Sequence, residues 1–118
     1  MENNIDELKQ LIQKIIDSNT LIIVEGKKDR AALEKFGINN IIELSKKPLY
    51  QVVEEIVQNN KECIVLTDLD NKGKELYGKL SKDLQKHGIK INNKLRDFLF
   101  KNTKIRQVEG LANLSQGF

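Results

Sequence analysis

Three carboxylates in this sequence follow short apolar segments, at positions where a parallel sheet would bring them together. Glu25 directly follows Leu21-Ile22-Ile23-Val24, and Asp68 and Asp70 follow Cys63-Ile64-Val65-Leu66. Because ligands of parallel α/β sheets bind at the carboxyl ends of the strands, the three side chains should converge if these two strands are neighbours. Like charges gathered so closely repel each other, so a stable fold keeps them only with a compensating cation or with a raised pKa. The pattern therefore predicts a cation site built from oxygen ligands.

The small number of hard oxygen ligands favours Mg²⁺, with Mn²⁺ as a substitute. Mg²⁺ is commonly held by one or two carboxylates and completes its shell with water and phosphate oxygens, whereas Ca²⁺ prefers a fuller cage. Asp68 and Asp70 would lie on the same side of an extended backbone and could face one ion. Gly26 and Gly73 leave backbone accessible to a phosphate, and a predicted helix begins after each of these turns.

Some of these residues also have an ordinary structural interpretation. Asp70 taken alone is typical of a turn or a helix N-cap, and Asp29 lies one turn into a helix, where it would favour the macrodipole. Glu25 carries more weight, because a Glu is poor strand chemistry and has no capping role here. An EF-hand is excluded, since Lys72 and Lys79 occupy the fifth and twelfth positions of its loop.

The elements that would position these side chains follow from the spacing of apolar residues. Strands are predicted at about residues 21–24, 41–44, 63–66, 89–91 and 105–108. Helices are predicted at about residues 4–17, 27–36, 48–60 and 73–87 and around residues 95–99, with Gly37 and Gly88 as helix stops. Continuous apolar strands that alternate with helices predict an α/β fold with a parallel sheet covered on both faces.

Composition limits the class of protein. The chain has 118 residues, a net charge of +3 and a single cysteine, which excludes a disulfide scaffold. We see no apolar run of the roughly 20 residues needed to span a bilayer and no leader-like start. We therefore expect one cytoplasmic domain without membrane association.

The charge is unevenly distributed along the chain. Residues 1–70 hold 9 basic and 13 acidic side chains, whereas residues 71–106 hold 11 basic and 3 acidic ones. Such an asymmetry favours a polyanionic partner, although a solvated helix face rich in lysine would look the same. The basic stretch extends towards the C-terminus through four cations, Arg96, Lys101, Lys104 and Arg106.

Aromatic residues are too few to suggest a base-stacking platform. The chain has four Phe and two Tyr residues, and no Trp. Tyr50 and Tyr77 fall within predicted helices and are expected to be half-buried packing residues. A duplex or structured-RNA backbone, bound through lysines, is therefore a more plausible partner than a single strand whose bases are read.

Two motifs resemble those of the Toprim domain, which is shared by topoisomerases, bacterial primases, OLD-type nucleases, RecR-type repair proteins and the 5S-rRNA-maturing ribonuclease. Val24-Glu25-Gly26-x-x-Asp29 resembles the first motif, and Leu66-Thr67-Asp68-x-Asp70-x-x-Gly73 resembles the second. The resemblance covers about residues 20–90. It implies a compact Rossmann-like fold with about four parallel strands, flanked here by an N-terminal helix at about 4–17 and a basic extension at about 91–118.

The resemblance also implies roles for individual residues. Glu25 would be the general acid or base and a metal ligand, Asp68 and Asp70 would coordinate one or two Mg²⁺ ions, and Asp29 would be an auxiliary acid. Phosphate or nucleic-acid contacts would come from six residues: Gly26, Lys27, Lys28, Lys72, Gly73 and Lys74.

The chain departs from the larger relatives in ways that narrow the function. Single-strand-cleaving topoisomerases have Arg-Glu-Gly-Glu where this chain has Asn71-Lys72-Gly73-Lys74, so the final acid is absent. We therefore expect a Mg²⁺-dependent nuclease acting on RNA or DNA, with RNA processing as one setting. The alternatives are a non-catalytic nucleic-acid-binding or adaptor module, and a subunit of a larger enzyme. A protein partner or a second copy of the chain stays open.

Overall fold

A parallel sheet of four strands forms the centre of the molecule. The structure is a computed structural model, and it describes residues 2–114. The strands are β1 (Leu21–Val24), β2 (Ile41–Glu43), β3 (Glu62–Val65) and β4 (Lys90–Ile91), in the order β2-β1-β3-β4. All three pairings are parallel. The α/β prediction is confirmed, and the strands that precede Glu25 and Asp68 are neighbours.

Helices cover both faces of the sheet. They are α1 (Glu2–Ser18), α2 (Lys27–Glu34), α3 (Leu49–Asn59), α4 (Asn71–Lys86) and α5 (Lys94–Asn102), with 3₁₀ turns at Leu44–Lys46 and Val108–Asn113. Side chains of α1, α2, α5 and the second 3₁₀ turn pack on one face, and those of α3 and α4 pack on the other. Among the described residues, no helix is long and apolar enough to cross a membrane.

Strand β1 is buried on both sides because its side chains alternate between these two cores. Ile22 and Val24 join the core under α1 and α5, whereas Leu21 and Ile23 join the core under α3 and α4. This double burial explains the continuous apolar run in the sequence. It also fixes the register of the strand, since a slip of one residue would exchange the two faces.

The strand predicted at residues 105–108 is wrong. Ile105 and Val108 pack on the core at a spacing of three residues, as in a turn of helix, while Arg106 and Gln107 between them are exposed. A backbone group of this segment bonds to the loop after β3 and not to a neighbouring strand, since the Arg106 carbonyl accepts the Leu69 N–H at 2.8 Å. The last four residues of the predicted C-terminal extension lie outside the described residues.

Candidate functional site

The structure places Glu25 beside Asp68 at the carboxyl edge of the sheet. Glu25 follows β1 directly, and Asp68 is the third residue after β3. The backbone N–H of Asp68 donates to Oε2 of Glu25 at 2.9 Å. Both residues are half-buried, and no described residue donates a hydrogen bond to the Glu25 Oε1 atom. One carboxylate oxygen of Glu25 thus fixes the side chain while the other stays available.

The Asp68 carboxylate is held by a hydrogen bond from the C-terminal segment of the chain. Its Oδ1 accepts the backbone N–H of Val108 at 2.7 Å. The next residue, Leu69, is bound to the same segment through the Arg106 carbonyl. Oδ2 of Asp68 accepts no hydrogen bond from the part of the chain that the structure describes. Asp68 therefore has the same division as Glu25, with one oxygen bonded and one available.

Asp29 is a third acid of this group and is buried. Its Oδ2 accepts the backbone N–H of Gly26 at 3.0 Å and closes the first turn of α2. The pKa of Asp29 is raised to about 6, mainly by burial and also by the negative charges of Asp68, Glu25 and Glu109, against the lowering effect of the Gly26 bond. A buried acid with a shifted pKa inside a cluster is typical of functional sites.

Asp70 has a different position from the other acids. It is exposed and is the N-cap of α4, where its Oδ1 accepts the backbone N–H of Gly73 at 2.7 Å. No hydrogen bond between described residues joins Asp70 to Glu25, Asp29 or Asp68. Among described residues, no group of three or more Asp, Glu, His or Cys side chains is arranged to hold a metal ion. The capping role that the sequence left open is thus present.

Gly73 is required by packing. A Cβ at this position would lie 2.0 Å from the Asp68 carbonyl oxygen, so the α4 N-terminus approaches the Asp68 loop closely. Thr67 Oγ1 also donates to the Gly73 carbonyl at 2.6 Å. The N–H groups of Gly26 and Gly73 are both donated to carboxylates of their own loops. The N–H groups of these two glycines are therefore engaged within the protein, and their predicted contact with a phosphate stays a prediction.

The four predicted phosphate-binding lysines surround these loops. Lys27 and Lys28 begin α2, and Lys72 and Lys74 lie in the first turn of α4. All four are exposed, and no salt bridge within the described residues involves them. The acids are therefore bordered by unpaired positive charge.

Arg96, which the sequence places in the basic stretch, is buried and does not belong to an exposed basic surface. Arg96 is 7% exposed, and its Nη1 donates to the Thr67 carbonyl and, at 3.3 Å, to Thr67 Oγ1. Its guanidinium carbon lies 4.4 Å from the centre of the Tyr77 ring and 5.0 Å from that of Phe100. Burial lowers the pKa of Arg96, which Tyr77, Asp97, Asp68 and Glu25 partly restore. The only indication in the sequence that Arg96 is buried was its helical spacing to the apolar residues Leu99 and Phe100.

Two further residues differ from what the sequence suggested. Glu109, on the C-terminal 3₁₀ turn, is close enough to Asp29 to raise its pKa, and no sequence signal connects residues so far apart. Tyr77 is half-buried as expected and donates its hydroxyl to Asn93 at 2.6 Å. Tyr50, by contrast, is 63% exposed and is not a packing residue.

The sequence around these carboxylates matches a known protein family. A family model described as the Toprim domain matches residues 19–93. The chain belongs to the Toprim family. The matched region contains both acidic motifs and ends just before Arg96, so this Toprim chain adds Arg96, Val108 and Glu109 from beyond the matched domain.

Relatives extend the assignment. The chain is 38% identical over 112 residues to a UPF0292 protein of Methanocaldococcus jannaschii, covering 90% of this chain and 88% of that protein. A UPF0292 protein of Pyrococcus abyssi is 40% identical over 107 residues, covering 88% and 80%. A solved structure of a protein from Aquifex aeolicus has a TM-score of 0.75 and 34% identity, covering 93% of this chain and 96% of that one. The chain thus belongs with the UPF0292 proteins, and its Toprim domain suggests a nucleic-acid-related function.

Replacing Gly73 by alanine should destabilise the protein, because the new methyl group cannot fit beside the Asp68 carbonyl. We expect Gly73→Ala to lower the free energy of unfolding by more than about 2 kcal/mol. Gly78→Ala is the matched control on the same helix, since nothing lies within 4 Å of its Cβ position. It should gain about 0.5–1 kcal/mol. Urea denaturation measures both, and a shift of both variants in one direction would contradict the packing role.

Asp29→Asn should stabilise the protein above pH 6 and leave it unchanged near pH 4. The folded-state pKa of about 6 exceeds the ordinary value of 3.8, so the folded state binds more protons. The stability contributed by this group is complete below about pH 4 and is lost as the pH rises through 6. The difference between variant and wild type should therefore grow to at most about 3 kcal/mol at pH 7. Denaturation from pH 4 to 7.5 checks this, and a pH-independent difference would contradict it.

Arg96→Leu should destabilise the protein by at least about 2 kcal/mol, because the Thr67 carbonyl and hydroxyl lose a buried donor. Arg96→Lys keeps the charge but not the planar stacking on Tyr77 and Phe100, so its loss should be smaller. Lys101→Leu removes an exposed cation from the same helix and should change stability by less than about 0.5 kcal/mol. Equal losses at positions 96 and 101 would show that the buried contacts of Arg96 contribute nothing.

Proposed function

We propose that this Toprim chain hydrolyses phosphodiester bonds of nucleic acid with the help of Mg²⁺. The observation that carries the proposal is the pairing of Glu25 and Asp68 at the ends of adjacent strands. Each side chain is held by one backbone N–H through a single oxygen, and the second oxygen is available. Two fixed carboxylates, each with one available oxygen at an open sheet edge, are suited to a cation that completes its shell with water or phosphate oxygens.

The donor set fits Mg²⁺ as an open site rather than as a cage. Asp68 would hold the ion directly and Glu25 would hold it through the attacking water, in keeping with the one or two carboxylates that Mg²⁺ commonly takes. Asp70 has one oxygen committed to Gly73 and a second that could bind the ion or its water. A bound Mg²⁺ would neutralise charge on the phosphate oxygens, and Mn²⁺ should replace it.

Glu25 is the residue placed to move a proton. Its Oε2 is fixed by the Asp68 N–H, which leaves Oε1 to accept the proton of an attacking water. The water oxygen then bonds to phosphorus, the ester P–O bond breaks, and the leaving oxygen takes up a proton from solvent, while Glu25 returns the proton that it accepted to solvent. Asp29, with a pKa of about 6, holds a proton more readily than an ordinary aspartate and suits the role of auxiliary acid.

The lysines around the acids would hold the polyanion. Lys27, Lys28, Lys72 and Lys74 are exposed and lie in the first turns of α2 and α4, next to the two acidic loops. Lysine contacts to phosphates depend on salt and not on sequence, so they serve RNA and DNA alike. The proposal therefore concerns the phosphate backbone and leaves the choice of sugar to experiment.

Glu25→Gln and Asp68→Asn should each reduce Mg²⁺-dependent cleavage by at least about 100-fold, because the proton acceptor or a ligand charge is lost. Glu34→Gln is the matched control, since it removes one exposed carboxylate at the far end of α2. It should keep full activity. The assay follows labelled structured RNAs and DNAs with Mg²⁺ or Mn²⁺ on gels. Cleavage that survives in both site variants would rule out this mechanism.

A second candidate is a non-catalytic nucleic-acid-binding or adaptor module, acting alone, with a second copy or within a larger enzyme. It is favoured by the use of Asp68 and Asp70 oxygens to hold backbone, and by the lack of a three-acid metal group among the described side chains. Such a module would bind oligonucleotides in a salt-dependent manner and cleave none with any divalent ion. Substituting the lysines would then weaken binding, whereas Asp68→Asn would not.

A further inference from the structure

Tyr50 presents an aromatic ring to solvent. It is 63% exposed, more than Ile5 at 43% and Ile16 at 36%, the other exposed large hydrophobic residues among those described. Its hydroxyl has a single weak contact, with the side-chain amide of the neighbouring Gln51 at 3.5 Å. The ring is therefore neither a core side chain nor part of a hydrogen-bond network that would explain its presence.

The ring lies on the same edge of the sheet as the carboxylates. The backbone N–H of Ser45 donates to the Glu25 carbonyl at 3.0 Å, so the segment after β2 runs beside the site. Helix α3 begins at Leu49, with Pro48 as its N-cap, and Tyr50 is its second residue. Four residues lie between Ser45 and Tyr50, so their Cα atoms are at most about 18 Å apart. That reach corresponds to a few nucleotides of a bound strand.

Positive charge accompanies the ring. Arg30 and Lys46 share one carboxylate, that of the buried Glu43, at 2.5 Å and 3.6 Å, which leaves one positive charge in excess. Lys46 directs its charge outwards, since 67% of its side chain is exposed. Lys47 is neutralised by an ion pair with Glu55. The surface thus combines an open aromatic ring with the exposed Lys46 four residues before it and the exposed Glu54 four residues after it.

We propose that Tyr50 stacks on an unpaired nucleobase of the bound strand while Lys46 contacts a neighbouring phosphate. This inference rests on the proposed function and specifies its substrate class: nucleic acid with unpaired nucleotides close to the phosphate held at Glu25 and Asp68. Stacking on an aromatic ring accepts every base but requires that the base be free of its own partner. The ring therefore selects single-stranded over duplex segments, in contrast to the duplex partner expected from composition.

The test measures binding by fluorescence anisotropy without divalent ions, so that cleavage plays no part. The probes are labelled single-stranded RNA and DNA oligomers and the same sequences as duplexes. Tyr50→Ala should weaken single-strand binding by about 5-fold to about 100-fold and change duplex binding by less than about 2-fold. Tyr50→Phe keeps the ring and should bind as wild type. Gln58→Ala, an exposed substitution two turns further along α3, is the matched control and should have no effect.

A spectroscopic arm reports stacking directly. The chain has no tryptophan, so Tyr50→Trp introduces a single reporter whose emission a stacked base should quench. Unchanged single-strand binding in Tyr50→Ala, equal losses for single strands and duplexes, or unquenched Trp emission at saturation would each overturn the inference alone. Wild-type protein that binds no oligomer of either kind would overturn the proposed function with it. Tyr50 is exposed, so Tyr50→Ala should fold, and its circular dichroism and melting temperature confirm that binding is compared between folded proteins.

Discussion

The hydrogen bond from the Asp68 N–H to Glu25 Oε2 fixes the centre of the candidate site. It joins residues 43 positions apart in sequence, and it forms because β1 and β3 pair in parallel with Ile23 opposite Val65. A slip of one residue would exchange the two faces of the strand and separate the two acids. The geometry of the site therefore depends on apolar side chains in two cores that touch no ligand themselves.

Residues beyond the matched Toprim domain hold this centre in place through hydrogen bonds. Arg96 bonds to Thr67, directly before Asp68, and Val108 bonds to the Asp68 carboxylate. Arg96 is the one buried cation among the described residues, and it lies in the field of the Glu25 and Asp68 charges. Burying a charge is costly unless it is hydrogen-bonded and compensated. The loop and the arginine thus stabilise each other, and neither position is independent of the acids.

The sequence was sufficient for the elements that repeat a simple pattern, and for the position of Glu25 and Asp68 after two strands, because strand ends follow from apolar runs. It was insufficient where burial depends on a distant partner. A lysine-rich stretch gives no sign that Arg96 is enclosed by Tyr77 and Phe100, which come from two different helices. The prediction for Tyr50 was wrong in the opposite direction, since this residue was expected to be half-buried and is exposed. Its place in the first turn of an amphipathic helix does not determine which face of the helix it lies on.

Attraction and repulsion of a polyanion are separated in space at this edge. The acids at the centre repel phosphate, whereas the exposed lysines of α2 and α4 attract it. A nucleic acid can therefore be held at the rim without a metal, but its phosphate approaches Glu25 and Asp68 favourably only when a cation compensates their charge. Under the proposed function, metal and polyanion should accordingly each strengthen the binding of the other, a coupling that is reciprocal by thermodynamic necessity. Each acid of the site accepts a backbone N–H through one carboxylate oxygen. These hydrogen bonds hold the acids in place and leave the second oxygen of each carboxylate available to a ligand.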